Sequence, residues 1–121
     1  MHLTPGQSDA CFLVSHGLAA SRHRVCLVDN QGEVLYSFGD IRGTDTSRFN
    51  IPCYLAANPR TRNVFVADYV NRRVSELGTE SLQFVRTVVE RLSSEPRRLS
   101  FNRVKRRLYV GNGNSLCVVQ L

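Results

Sequence analysis

The chain has no tryptophan, one lysine and one methionine among its 121 residues, and glycine and proline are ordinary at 8 and 4. Collagen-like and low-complexity chains are rich in glycine and proline, so both classes are excluded. No apolar run approaches the ~18 residues that a membrane-spanning helix needs. With 42% hydrophobic and 21% charged residues, the composition predicts one folded domain, or part of a larger one, with no membrane partner.

Signals of secretion are also missing. The most apolar N-terminal stretch, residues 11–20, contains Ser15 and His16 and has no Lys or Arg before it, so a cleaved signal peptide is not expected. Asn-x-Ser/Thr acceptor sites do not occur. The sequence therefore predicts a cytoplasmic protein.

The four cysteines are few and scattered. Their gaps are 15, 27 and 64 residues, and no C-x-x-C pair occurs. This spacing fits neither a zinc site of closely paired ligands nor the dense disulfides of short secreted chains. We predict reduced thiols that pack as small apolar groups.

Catalytic motifs are missing too. The sequence has no G-x-S-x-G, P-loop or H-E-x-x-H motif, and its three histidines lack the spacing of metal ligands. Ser15 and His16 are adjacent, so on a strand they face opposite sides and do not form a nucleophile–base pair. The glycine-rich residues 111–114 predict a hairpin turn. We predict that the protein is not an enzyme and has no catalytic residues, no metal and no cofactor.

The basic residues are unevenly distributed. Residues 1–59 carry four Arg against five acids, whereas residues 60–121 carry twelve Arg and Lys against five acids. Fifteen of the sixteen basic residues are Arg, and Lys105 is the exception. The planar guanidinium suits phosphate and carboxylate groups, so RNA or an acidic protein is an expected kind of partner.

An internal repeat has an offset of 44 residues. Without a gap, residues 51–77 align with residues 95–121 and keep the hydrophobic pattern through three segments. A third copy lies upstream, where residues 23–28 resemble residues 72–77. The seven identical pairs of the first alignment are Pro52/Pro96, Leu55/Leu99, Asn58/Asn102, Arg62/Arg106, Val66/Val110, Val74/Val118 and Leu77/Leu121.

Each copy is predicted to form four short strands, named a to d. In the middle copy they are expected at about residues 54–57, 64–68, 73–77 and 82–88, separated by turn-forming residues. The run Val-Phe-Val-Ala at 64–67 has no polar alternation, which is typical of a strand covered on both faces. Four strands in a 44-residue period predict a β-propeller blade.

The fourth strand has a competing interpretation. Leu82, Val85, Val89 and Leu92 fall at helical spacing, so residues 80–91 also fit an amphipathic helix. The β-branched residues near Val89 and the repeat itself favour a strand.

In the middle copy an apolar strand ends in Ala67-Asp68, a short turn contains Asn71, and Arg73-Val74 opens the next strand. This pattern resembles the NHL repeat. In that family an apolar strand ends in Ala-Asp, a short turn contains Asn, and Arg-Val opens the next strand. The first copy keeps the Arg-Val pair, and the last copy departs from the Ala-Asp pair. The residues that carry the resemblance are Ala67, Asp68, Asn71, Arg73 and Val74.

The resemblance implies an all-β fold, a partial β-propeller of four-stranded antiparallel blades with about ten strands. The expected divisions are an N-terminal extension at 1–10, a partial blade at 11–50, a complete blade at 51–94 and a partial blade at 95–121. A closed propeller needs four or more blades. We therefore expect either a fragment of a larger propeller, which we favour, or a homodimer whose two copies supply six blades.

Three motif residues are predicted to be structural. Asp68 is expected to accept hydrogen bonds from the turn that follows it, and Asn71 to tolerate a left-handed conformation there. Arg73 is expected to pair with Asp68 across the turn and to fix the b–c hairpin.

The candidate binding residues lie in the d–a and b–c connections, which share one face of a blade. The opposite face carries Arg60, Arg62, Arg103, Lys105 and Arg106 in its a–b connections. Tyr69 is the aromatic residue beside arginine that stacking on RNA bases requires. The predicted binding residues are Arg22, His23, Arg48, Tyr69, Asn71 and Arg72.

The resemblance implies a non-catalytic binding module. Related propellers use a face for protein partners or for single-stranded RNA, and in animals they often end ubiquitin ligases of the tripartite-motif kind. We predict recognition of a protein partner or of single-stranded RNA, as the substrate-recognition end of a ubiquitin-ligase-like protein. The alternative is a sequence-selective RNA-binding regulator that uses the basic loop face.

Overall fold

The computed structural model describes residues 3–5, 11–16, 23–40, 43–46 and 48–121. Within these residues the protein is all-β. No helix there is long and apolar enough to cross a membrane. The strands are β1 (Leu3–Pro5), β2 (Cys11–His16), β3 (His23–Asp29), β4 (Val34–Asp40), β5 (Pro52–Asn58), β6 (Asn63–Asp68), β7 (Arg73–Leu77), β8 (Phe84–Val89), β9 (Pro96–Asn102), β10 (Arg107–Asn112) and β11 (Ser115–Gln120).

The strands form three antiparallel sheets that follow chain order. Sheet 1 contains β1 to β4, sheet 2 contains β5 to β8, and sheet 3 contains β9 to β11. Sheet 2 has the four strands predicted for the middle copy, and the segment Phe84–Val89 is a strand and not a helix. The tertiary pairing of β8 with β7 prevails over the helical spacing of its apolar residues.

The segment expected as an extension contributes a strand of its own. Leu3 pairs with Val14 and Pro5 with Phe12, so β1 forms the first strand of sheet 1. Sheet 1 is therefore complete with four strands, and the described residues hold eleven strands instead of about ten. A strand of three residues with a proline at its end has no periodic pattern by which sequence could have revealed it.

Two hydrophobic clusters join the sheets, and β6 belongs to both. Val64 and Val66 pack into the cluster between sheets 1 and 2, together with Leu13, Val25 and Leu55. Phe65 and Ala67 point the other way, into the cluster between sheets 2 and 3. Each of these four β6 side chains is 0% exposed. The prediction of a strand covered on both faces is confirmed.

The main contacts between sheets involve their earlier strands. Strand β5 lies against β1, β2 and β3 of sheet 1 and against β9 of sheet 3, and β6 also contacts β9. The last strands of the sheets, β4, β8 and β11, take part in none of these main contacts between sheets.

The repeat is visible in the strand register. Leu55 pairs with Val66 in sheet 2, and Leu99 pairs with Val110 in sheet 3, both with the predicted offset of 44. The next hairpin departs from it, because residues 69–72 connect β6 to β7 whereas only residues 113–114 connect β10 to β11.

The shorter connection moves β11 by two residues. Ala67 pairs with Val74, and the equivalent Gly111 pairs with Leu116. Leu116, and not Val118, is therefore the counterpart of Val74, and the ungapped alignment was wrong from β11 onward. The tight turn has Gly113 at φ 61°, a left-handed conformation that glycine adopts without steric cost.

Substitution of two glycines by alanine distinguishes the free-energy cost of a left-handed backbone from the cost of a steric clash. Gly39 and Gly32 have φ of 81° and 85°. A Cβ on Gly39 would lie 2.6 Å from the His23 carbonyl oxygen and 3.1 Å from the Phe49 ring, whereas a Cβ on Gly32 meets nothing within 4 Å. We expect Gly32→Ala to cost about 1 kcal/mol and Gly39→Ala at least about 2 kcal/mol, measured by urea unfolding. Equal losses would contradict this packing.

Candidate binding site

Asp68 and Arg73 face each other where β6 ends and β7 begins. The register pairs the two residues, and Arg73 Nε donates to Asp68 Oδ2 at 2.8 Å. Asp68 is 0% exposed and Arg73 is 8% exposed. The predicted ion pair is confirmed, and it lies inside the protein, where its remaining polar atoms need partners.

The other donors of Arg73 bind the loop that precedes β5. Nη1 donates to the carbonyl of Thr44 at 2.5 Å. Nη2 donates to the carbonyls of Asp45 at 2.7 Å and Arg48 at 2.6 Å. Arg73 therefore fixes the loop between sheets 1 and 2 onto the β6–β7 hairpin, a role that extends beyond the hairpin itself.

Asp68 and Asn71 complete this network. The Asn50 N–H donates to Asp68 Oδ1 at 2.7 Å, and Asn71 Nδ2 donates to Asp68 Oδ2 at 2.9 Å and to the Gly43 carbonyl at 2.6 Å. Burial raises the pKa of Asp68, while these hydrogen bonds and the Arg73 charge act in the opposite direction. The carboxylate thus organises both the turn and the neighbouring loop.

The left-handed residue of the β6–β7 turn is Arg72, with φ 51°. The expectation placed this conformation at Asn71, which does not have a positive φ. Its side chain instead bridges Asp68 and Gly43, and that bridge needs Asn71 beside the carboxylate. The left-handed conformation consequently falls on the next residue, whose side chain is exposed.

Three connections between strands lie on one side of sheet 2, and we call this surface the loop face. Its described residues are 43–46 and 48–51 before β5, 69–72 between β6 and β7, and 90–95 between β8 and β9. Backbone bonds join them, since the Tyr69 N–H donates to the Ile51 carbonyl and the Leu92 N–H to the Arg72 carbonyl. An open depression of about 490 Å³ lies between these loops. A second depression of about 350 Å³ lies beside Tyr69.

The charges exposed on the loop face are mixed. Arg72 lies 3.4 Å from Glu95 and also donates to the Ser93 carbonyl at 3.3 Å. The pKa of Glu95 is lowered by a hydrogen bond from its own backbone N–H, with Arg72 and Arg97 adding to the effect. Glu95 is therefore a carboxylate at neutral pH, and it offsets the charge of Arg72.

Tyr69 is covered by Arg97, which the sequence placed near this face but not among the binding residues. The Arg97 guanidinium lies 5.7 Å from the centre of the Tyr69 ring, and its Nη2 lies 3.2 Å from the phenol oxygen. This arrangement combines a cation–π contact with a hydrogen bond to one aromatic residue. Arg97 is exposed, so the pair presents both an apolar ring and a charge.

The structure gives the other predicted binding residues different surroundings. His23 is 4% exposed, and its Nδ1 accepts the Ile51 N–H at 2.9 Å, so it supports the loop from inside and is not offered to a ligand. Arg48 is exposed and lies 3.5 Å from Asp45. Arg22 lies outside the described residues.

The Asp–Arg network belongs to sheet 2 alone among the described parts of the three sheets. In sheet 3 the register places Asn112 and Ser115 at the positions of Asp68 and Arg73. Asn112 is 2% exposed, and its Nδ2 lies 3.2 Å from Ser93 Oγ. Asn112, at the position equivalent to Asp68, thus binds a neighbouring loop to sheet 3 through an amide hydrogen bond and not through an ion pair.

Two comparisons with known proteins assign the chain to no family. No protein-family model matches it. No curated protein matches it at a significant level. Within the described residues no group of three or more His, Cys, Asp or Glu is arranged to hold a metal ion.

Proposed function

We propose that the three sheets are consecutive blades of an incomplete, NHL-like β-propeller. Three observations support the proposal: the sheets are meanders, their main contacts with one another exclude the last strands, and the register of the first two strands repeats after 44 residues in sheets 2 and 3. Sheets that contact one another through their earlier strands and not through their last ones fit radial stacking around an axis. At least one further sheet is then required to close the ring.

We propose that this propeller is a non-catalytic binding module whose loop face recognises a protein partner. The observation that carries the proposal is the buried Asp68–Arg73 network, which holds the loop before β5 and the β6–β7 turn as one preorganised surface. Preorganisation lowers the entropy that binding costs. Recognition of a substrate protein by a ubiquitin-ligase-like assembly is one role that such a surface serves.

The mixture of groups on the loop face favours a protein over RNA there. Arg72 and Arg48 have carboxylates nearby, and Tyr69 is covered by Arg97. Aromatic and arginine side chains beside opposite charges are typical of protein interfaces. Single-stranded RNA needs uncovered rings and unpaired cations, so a sequence-selective RNA-binding regulator that uses this face is the second candidate.

Site-specific photocrosslinking tests the loop face directly. Val70 lies on it and is 45% exposed, whereas Val104 lies on the opposite side of the sheets and is 90% exposed. A photoreactive phenylalanine analogue at position 70 is expected to yield discrete protein adducts in cells, and the same analogue at position 104 to yield none of these adducts. Arg72→Ala should abolish the position-70 adducts.

The outcomes separate the two candidates. Adducts that are protein in nature and depend on Arg72 support the protein-binding proposal. If position 70 instead captures RNA, and Tyr69→Ala and Arg72→Ala both weaken binding of that RNA, the RNA regulator replaces it. Identical adducts from positions 70 and 104 would show that the loop face has no special role.

A further inference from the structure

The turns on the side away from the loop face are strongly basic. Residues 59–62 connect β5 to β6, and residues 103–106 connect β9 to β10. The cations on these two turns are all exposed: Arg60, Arg62, Arg103, Lys105 and Arg106. The neighbouring connection 78–83 contributes one acid, Glu80.

The two turns lie side by side. Near the start of β5 and β9, Cys53 Sγ donates to the Pro96 carbonyl at 3.3 Å. Further along, Phe65 of β6, which pairs with Ala56 of β5, has its ring 5.7 Å from that of Phe101 near the end of β9. Strands β5 and β9 therefore run in the same direction, and both turns emerge at the same edge. Packed sheets are about 10 Å apart, so the cations form one continuous basic patch, defined by residues 59–62 and 103–106.

The cations of the basic patch are not neutralised within the described residues. The four ion pairs found there involve Arg48, Arg72, Arg73 and Arg86, and none of the five patch cations. On the loop face, by contrast, Arg48 and Arg72 have carboxylates beside them. Five exposed cations that take part in none of these ion pairs therefore lie together on the two turns opposite the loop face.

The backbone of both turns is fixed in the same way. Asn58 Oδ1 accepts the Arg60 N–H at 3.1 Å, and Asn102 Oδ1 accepts the Lys105 N–H at 2.9 Å. Each turn ends in a left-handed arginine, with φ of 62° at Arg62 and 55° at Arg106. The repeated geometry places one cation, Arg62 or Arg106, at the same position on each of the two neighbouring sheets.

We propose that the basic patch binds the sugar–phosphate backbone of nucleic acid without reading its sequence. Neither turn contains an aromatic residue on which a base stacks. Protein interfaces are depleted of charged residues at their centre, whereas nucleic-acid interfaces are markedly positive. The apolar surface on the two turns is small, with Val104 as its main exposed group, which favours phosphate over an acidic protein segment.

Fluorescence anisotropy with labelled oligonucleotides tests the proposal. The ligands are an oligouridylate and a mixed-sequence strand, each of about 16 nucleotides, with a labelled polyglutamate peptide as the comparison. The variant Arg60→Gln/Arg103→Gln/Lys105→Gln removes three patch cations. The control Arg98→Glu/Val118→Glu lowers the net charge by the same amount at exposed positions outside both the patch and the loop face.

We expect the two strands to bind equally, and the patch variant to bind at least about tenfold more weakly than wild type at about 50 mM salt. The slope of log K against log salt should fall by about 2 in the patch variant. The control should stay within about threefold of wild type. Circular dichroism should show the same β-rich spectrum for all three proteins.

Three results would overturn the proposal. Equal weakening in patch variant and control would show that net charge alone attracts the strands. Tighter binding of polyglutamate than of oligouridylate would assign the patch to an acidic protein. A strong preference between the two strands would show base recognition. Because the loop-face test uses protein adducts at position 70, failure here leaves that test unaffected.

Discussion

Replacing Arg73 with methionine is expected to lower the free energy of unfolding by about 3–5 kcal/mol, the range for breaking a buried ion pair. The methionine retains much of the side-chain volume but removes the charge beside Asp68, which is 0% exposed. It also leaves the carbonyls of Thr44, Asp45 and Arg48 without their donor. Urea unfolding followed by circular dichroism measures the loss.

The neighbouring arginine supplies a matched control. Arg72 is exposed and pairs with Glu95 across 3.4 Å, so Arg72→Met should cost at most about 1 kcal/mol. The two variants carry the same substitution at adjacent positions, and the replaced side chains differ mainly in burial. Similar losses for the two variants would contradict a central role for the buried network.

The pH dependence of the Arg73→Met variant gives a second readout. Burial already raises the pKa of Asp68 in the folded protein, and loss of Arg73 removes an influence that lowers it. A carboxyl whose folded-state pKa is raised stabilises the fold when protonated, and this stability is lost as pH rises through the folded-state pKa. The difference in free energy of unfolding between wild type and Arg73→Met should therefore become smaller as pH falls toward about 4. If this difference in free energy does not depend on pH, an Asp68 carboxylate left without its cation does not cause it.

Phe65→Ala is expected to lower the free energy of unfolding by about 3–5 kcal/mol, since it leaves a cavity in a packed core. Phe65 is 0% exposed and lies 5.7 Å from Phe101 across the contact between sheets 2 and 3. Its loss weakens the cluster that holds sheet 3 in place. Guanidinium or urea unfolding provides the measurement.

An exposed valine serves as the comparison for this core variant. Val104 is 90% exposed, so Val104→Ala should change stability by less than about 0.5 kcal/mol. Phe65→Leu keeps most of the volume and should cost less than Phe65→Ala. If Phe65→Ala were as harmless as Val104→Ala, sheets 2 and 3 would not share a common core.

The strands of sheet 2 could be predicted because local and tertiary signals agree. The unbroken apolar run at 64–67 requires cover on both faces, and each of its side chains is buried in one of two clusters. The Asp68–Arg73 pair was predictable for a similar reason, because a short turn places the ends of two paired strands opposite each other. Such features depend on residues near one another in sequence.

The surroundings of the binding residues could not be predicted in this way. Arg72 meets Glu95 and Tyr69 meets Arg97, and both contacts depend on how the connection before sheet 3 crosses the turn of sheet 2. The burial of His23 likewise depends on the path of the loop around Ile51. Charge alone identified a basic surface, but tertiary packing decides which arginines are paired and which are available.

Isotope-edited nuclear Overhauser spectroscopy on the labelled protein tests the stacked arrangement of the sheets most directly. We expect contacts from the Phe65 ring to Phe101 and to the methyl groups of Leu99 and Leu108, which share its cluster. Val64 and Val66 should contact Val25 instead. Direct backbone contacts between Phe84–Val89 and Pro96–Asn102 would show one continuous sheet, and would contradict three stacked sheets and the propeller proposed from them.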